Sequence, residues 1–173
     1  MVTWYTAFVL AVGVERLAEL VVSKRNLAWS LARGGYEVGA SLYPFMVVVH
    51  TGLLVGAVVE VAVADRPFLP WLGWTMVAVV LATQALRWWC IATLGRQWNT
   101  RVVVVPGAPR ITGGPYRWLT HPNYVAVVVE GVALPLVHTA WVTAVLFTVA
   151  NAVVLTVRIR TENAALAALV ASP

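Results

Sequence analysis

The sequence is short of most things that stabilise or solubilise a small domain. Of its 173 residues one is cysteine, and only 11% are charged. Cys90 has no second cysteine to pair with, so no intrachain disulfide can form, and no Cys-x-x-Cys pair exists for zinc. The three histidines, His50, His121 and His138, are widely spaced and suggest no metal site. There is no Gly-x-Gly-x-x-Gly run, no internal repeat and no low-complexity segment. Lysine is nearly missing: Lys24 stands against eleven arginines, which with the abundant Ala and Val suggests a GC-rich bacterial genome. What the chain has in excess is apolar residues, 61% of the total, with a mean hydropathy of +0.82. Soluble domains run near 45–50% apolar and about 25% charged. One small core cannot hide so much apolar surface. These figures exclude an ordinary soluble enzyme, a disordered tail and a disulfide-rich secreted module. They leave an all-α integral membrane protein of a single domain, 1–173.

Five apolar runs suit transmembrane helices, at 1–22, 42–64, 70–94, 122–136 and 139–157. No basic stretch precedes the first run and no small-residue cleavage site follows, so it reads as a retained span and not a signal peptide. Ser23–Ser41 reads as a polar connector, and Asp65-Arg66-Pro67 as a turn. Pro122–Val157 is too long for one span, and Pro135 and His138 divide it into a helical hairpin. A cytosolic helix over 158–173 should follow. With the N-terminus outside, the first connector, the segment 95–121 and the C-terminal segment face the cytoplasm. They carry nine basic residues, against Arg66 alone outside. That asymmetry fits the positive-inside rule and explains the basic pI better than nucleic acid binding does. It also gathers the polar segments on one side of the cell membrane.

Charges inside apolar runs cost at least ~2.5–3.5 kcal/mol each near the bilayer centre, so each needs a reason. Arg16 and Glu19 are three apart and can pair along one helix face. Glu60 is near the outer interface and should be solvated. Arg87 can snorkel or pair. Glu130, two turns beyond His121, is either a structural partner or a site residue. Of the nine tryptophans, Trp4, Trp29, Trp71 and Trp118 suit membrane interfaces, whereas Trp88, Trp89 and Trp98 surround one helix end and could line a pocket.

Chemistry concentrates in Gly113-Gly114-Pro115-Tyr116-Arg117-Trp118-Leu119-Thr120-His121-Pro122-Asn123-Tyr124. Gly-Gly-Pro forces a turn, and Pro122 suits the first turn of a helix whose unpaired N–H groups could meet an anion. His121, Tyr116 and Tyr124 add donors, acceptors and π-faces, and Arg117 a carboxylate clamp. Further on, Arg158 and Glu162 lie four apart on one helical face. An arginine there can hold a carboxylate, and a glutamate can accept two ribose hydroxyls; equally, the two could simply pair with each other.

The order Gly-Pro-Tyr-Arg, His-Pro-Asn-Tyr, apolar hairpin, Arg-Ile-x-x-Glu resembles the isoprenylcysteine carboxyl methyltransferase family. Leu94-Gly95-Arg96-Gln97-Trp98-Asn99 is similar to the same group, and Glu15-Arg16-Leu17-Ala18-Glu19 with Ser23-Lys24-Arg25-Asn26 looks like a bacterial branch, some of whose members methylate alkylpyrone or alkylresorcinol lipids. The resemblance implies a membrane methyltransferase that uses S-adenosylmethionine (SAM). It assigns cofactor contacts to Gly114, Pro115, Tyr116, Arg117, His121, Pro122, Tyr124 and Glu162, and makes Glu130, Arg158 and Asn99 catalytic candidates. A lipid-like acceptor, a polyketide lipid or a prenylcysteine-like molecule, would enter from the bilayer. Thr120 replaces the family's usual basic residue, Ala126 its usual glycine, and Asn163 its second acidic residue. Transfer to a carboxylate needs no base; a phenol or enol could use Glu130 or His121. Two other classes fit the sequence: an NADPH-dependent membrane reductase related to sterol reductases, and a non-catalytic membrane scaffold.

Overall fold

A computed structural model describes residues 2–171. Five helices account for most of them: α1 (Val2–Leu31), α2 (Tyr43–Val63), α3 (Pro70–Leu94), α4 (Pro122–Leu136) and α5 (Trp141–Ala171). Three are long and apolar enough to cross a bilayer by themselves, within Ala40–Val63, Pro70–Gln97 and Trp141–Ala165. The chain is an all-α, multi-pass membrane protein. Large apolar side chains such as Leu10, Val48, Leu81, Leu146 and Val153 point outward from the bundle, the arrangement that lipid, not water, accommodates.

Helix boundaries follow local chemistry. Pro44, Pro70 and Pro122 each occupy the first turn of a helix, where a missing N–H costs nothing. At the end of α1, Gly34 adopts the left-handed conformation at φ 74°. The Gly35 and Gly34 amides then bond back to the Ser30 and Leu31 carbonyls, closing the helix in a Schellman arrangement. Pro135 lies in the last turn of α4, and the chain reverses through Thr139 at φ 55° into α5. Gly131 lets the two antiparallel helices meet: a Cβ there would collide with the Phe147 ring.

Two boundaries differ from the sequence reading. The helix of the first span does not stop near residue 22 but continues to Leu31 through nearly half of the supposed connector. Its extra turns are held because Ser23, Asn26 and Ser30 are buried on one face. Likewise α5 runs without a break past residue 157, so Arg158 and Glu162 ride on the continuation of a span. The structure also adds a two-stranded antiparallel ladder, β1 (Tyr36–Val38) with β2 (Val102–Val104), that fastens the two loop segments together.

The apolar core lies at the opposite end of the bundle from this ladder. Tyr5, Val9, Val61, Val80, Leu134 and Val137 form it, with Ala57, Ala133 and Ala140 permitting close helix approach. The Tyr5 hydroxyl donates to the Leu134 carbonyl (3.0 Å). Glu60 is not merely solvated there. It accepts from the Val142 and Thr143 amides and the Thr143 hydroxyl at 2.7–3.2 Å, capping α5, and also pairs with Arg66.

Candidate active site

The site forms where the first turn of α4 meets the outer third of α5, beneath the segment 95–104. Pro122 fixes the start of α4, so His121 and Tyr124 lie on one side of its first turn. Their rings stack at 5.2 Å. On α5, Arg158 and Glu162 are four apart and face them. The Tyr124 hydroxyl donates to Glu162 and accepts from Arg158 Nε (2.8 Å). His121 Nε2 donates to Asn163 Oδ1 (3.3 Å), and its Nδ1 lies 3.9 Å from Glu162. Arg158 and Glu162 therefore do not pair with each other; Tyr124 stands between them.

Two cavities open on this group. The first is polar and is lined by Asn99, Tyr116, Thr120, His121 and Glu162, with β2 as one wall. The second is mostly apolar and nearly twice as large, about 240 against 130 Å³, and runs between α1, α2, α4 and α5. Trp98, Asn123, Tyr124 and Arg158 line both. At that junction the Arg158 guanidinium hydrogen-bonds Met46 Sδ (2.8 Å) and the Tyr124 hydroxyl and lies over the Tyr124 ring. It has no carboxylate partner among the described residues, a costly state for a half-buried arginine unless a ligand supplies the anion.

Asn99 and Asn123 carry the same message. Asn99 Nδ2 and Asn123 Oδ1 are buried without a hydrogen-bond partner. The orientation of Asn99 is set by Ser23 on α1. The Ser23 hydroxyl accepts from the Thr100 amide (3.0 Å) and gives its one proton to Asn99, so towards the Thr100 hydroxyl (2.8 Å) it can only accept. Asn99 Oδ1 takes that proton at 2.7 Å, so the amide NH2 is turned away from α1. Asn26 holds the same loop by donating to the Gly95 and Trp98 carbonyls at 3.0 and 2.7 Å.

The other sequence candidates are placed as follows. Tyr116 lines the polar cavity; burial, and then the neighbouring Cys90, push its hydroxyl above the usual phenol range, so it stays protonated. Gly114 packs against Thr93 and Trp89, while Pro115 and Pro122 are buried. Arg117 lies over the Trp118 ring (5.0 Å), outside the lining of either cavity. Of Trp88, Trp89 and Trp98, it is Trp98 that lines these two cavities.

Glu130 lies two turns deeper in the apolar cavity, where Arg16 Nη2 binds it at 2.9 Å. Arg16 also donates to Glu19 and to Gln84, both at 2.6 Å. Arg87 is buried and grips Glu19 with two nitrogens. This cluster ties α1 to α3 and α4, and Glu130 joins it through Oε2.

The arrangement thus offers a polar pocket, a larger apolar pocket, and an arginine where they meet. Residues 76–168 match the isoprenylcysteine carboxyl methyltransferase family, and the chain belongs to that family. Membership makes it a membrane methyltransferase, of a family whose members use SAM as methyl donor. It is 40% identical over 154 residues to "Uncharacterized protein YpbQ" of Bacillus subtilis (strain 168), covering 88% of this chain and 90% of that one. No solved structure matches it.

Sequence reasoning missed Ser23, Asn26 and Asn123 as site residues. A serine and an asparagine three apart beyond a span present one polar helix face, which was the available signal for the first two. Asn123 stood inside the His-Pro-Asn-Tyr motif without an assigned role.

Proposed function

We propose that the protein transfers a methyl group from SAM to an acidic oxygen, a carboxylate or the enolate or phenolate of a ring, on a lipid-like acceptor. The observation that carries this is the meeting of a polar and an apolar cavity at an arginine without a carboxylate partner among the described residues. Orphaned Asn99 Nδ2 and Asn123 Oδ1, with the Glu162 carboxylate, form a donor and acceptor set that suits a nucleoside amino acid. Bound in the polar cavity, SAM supplies an electrophilic methyl.

The chain's own work is binding, orientation and exclusion of water. Arg158 holds the acceptor oxygen as an anion at the junction and so favours its ionised form. The Tyr124 hydroxyl, shared with Glu162, fixes the guanidinium at Nε and, with Nη1 on Met46 Sδ, leaves Nη2 for the acceptor. The apolar wall keeps water from competing and aligns the oxygen for in-line attack. Neither earlier base candidate is needed: Glu130 is held by Arg16, and His121 by Asn163. In this reading the site end faces the cytoplasm, where SAM is made, and the acceptor reaches the second cavity from the lipid of the cell membrane.

The test is a titration of the detergent-purified protein with SAM and with NADPH, followed by transfer of a radiolabelled methyl group into lipid extracts. SAM binding that Glu162→Ala weakens, with label appearing in lipid, is the expected outcome. Binding of NADPH in place of SAM overturns the reading.

A further inference from the structure

The apolar cavity has a polar level that the methyl-transfer site does not use. On α4, Asn123, Val127 and Glu130 follow at spacings of four and three, so one stripe of the helix faces the cavity. On α5 the corresponding stripe is Asn151, Val154, Leu155 and Arg158. Seven residues, or ~10 Å at 1.5 Å per residue, separate the junction from Glu130 on one helix and from Asn151 on the other. His50 belongs to the same level. Met46 touches Arg158, while Gly56 packs on Thr143, so α2 and α5 run antiparallel and His50 falls opposite Asn151. The contact of His50 with Phe147 agrees.

The two sides of this level differ. On the α1 and α4 side, Arg16 and Glu130 bond each other. On the α2 and α5 side, Asn151 is 4% exposed, and its carboxamide has no hydrogen-bond partner among the described residues. His50 Nδ1 donates to the Met46 carbonyl at 2.8 Å, which leaves Nε2 as a bare acceptor lining the same cavity. An unpartnered amide in a membrane-spanning helix is costly unless something in the cavity meets it. A carboxamide donor facing an imidazole acceptor is complementary to a group that both accepts and donates, which is a hydroxyl.

We propose that His50 and Asn151 form a second recognition site for a hydroxyl on the acceptor's chain, about two helical turns from the oxygen that Arg158 holds. The hydroxyl donates to His50 Nε2 and accepts from Asn151 Nδ2. This rests on the reading of Arg158 as the head-group anchor. It narrows the acceptor class from any acidic lipid to one hydroxylated in mid-chain, and it would discriminate against a plain hydrocarbon tail by leaving two buried polar groups unmet.

The experiment measures displacement of a fluorescent polyene fatty acid from the full-length protein in nanodiscs, with S-adenosylhomocysteine present. The competitors are stearate and a stearate carrying one mid-chain hydroxyl. The hydroxylated lipid should displace the probe at a concentration roughly five- to tenfold lower, the worth of one or two net hydrogen bonds. Asn151→Leu and His50→Leu should each erase that preference and leave plain stearate unchanged. Both variants place an apolar residue in a span, so folding is not threatened, and retained stearate affinity verifies it. Equal displacement by both lipids on the wild type overturns the second site, while a loss of both on Arg158→Ala keeps the anchor. A preference for the hydroxyl that survives Arg158→Ala and vanishes on Asn151→Leu overturns the anchor and leaves the second site standing. Failure of both lipids to displace the probe overturns both.

Discussion

Two groups of charged and polar residues lie two helical turns apart in this bundle, and they are built on opposite plans. The deeper one, Arg16, Glu19, Arg87 and Glu130, is closed in its charges: each guanidinium ends on a carboxylate, and each of those carboxylates on a guanidinium, although the adjoining Glu15 oxygens and Gln84 Nε2 are buried without a hydrogen bond. The outer one, Tyr124, Arg158 and Glu162 with Asn99 and Asn123, is open: Arg158 has no carboxylate, and an amide group on each asparagine has no partner. Closure is what a buried ion cluster needs to be tolerated in a membrane at all. Openness, in residues otherwise held firmly in place, is what a ligand site needs. Burial of charge alone would have marked both groups as functional; the pairing of guanidinium with carboxylate separates them.

The sharpest way to break this comparison is to open the closed group. Arg87→Met leaves Glu19 with only Arg16, in a nearly water-free position. Removing one partner of such a pair costs about 3–5 kcal/mol, so the variant should be recovered mostly unfolded or degraded when assayed by size-exclusion in detergent. Glu130→Gln keeps a hydrogen-bond acceptor for Arg16 and should be milder, lowering thermal stability with methyl transfer per folded molecule nearly intact. A turnover defect in well-folded Glu130→Gln would return Glu130 to the role of base.

The open group should answer in the other direction. Arg158→Ala should fold, with a melting temperature at or above that of the wild type, because no carboxylate is orphaned among the described residues. Its turnover should fall about a hundredfold, the usual scale for losing a desolvated charge contact to a ligand. A melting temperature that falls as far as that of Arg87→Met would show that the outer group is structural after all.

Between these lies Asn99. Asn99→Asp keeps the acceptor that Ser23 needs and replaces the orphan donor with a carboxylate oxygen, so SAM affinity should drop by at least roughly fivefold to tenfold, with a modest loss of stability from the buried oxygen. Ser23→Ala should give a similar loss by another route, freeing the amide to rotate, and Ser23→Thr should restore most of it. Titration of SAM into the three variants decides the point. Loss of affinity in Asn99→Asp without loss in Ser23→Ala would leave Asn99 in the site and remove Ser23 from it.

Much of this was legible in the sequence because it is local. Proline at the start of three helices, glycine at the end of another, and apolar runs of spanning length are all signals read within a few residues. The order of the motifs carried the family, and the motif residues Tyr124 and Glu162 do meet. What could not be read depends on contacts distant in the chain. Ser23 meets Asn99 only because α1 stays helical past its apolar run and the loop after α3 folds back over it. Glu60 looks solvated until the hairpin turn brings the unpaired amides of α5 beside it. The strands β1 and β2 are three residues each, too short for any periodicity to announce them.

Arg117 gives the smallest expected effect and the cleanest control on the comparison. By sequence it belongs with the open group: it follows Gly-Pro-Tyr, four residues before His121, in the segment where the chemistry concentrates. By geometry it belongs to neither group, since its guanidinium rests over the Trp118 ring and lines neither cavity. An exposed cation–π contact of this kind is worth about 0.5–1 kcal/mol at most. Arg117→Gln should therefore lower the melting temperature slightly and leave SAM affinity and turnover within about twofold, a change no larger than one exposed contact supplies. A tenfold loss of SAM affinity in that variant would mean that the 3-10 turn Gly114–Arg117 moves over the polar cavity when the cofactor binds. The open group would then include a residue that swings in to close it.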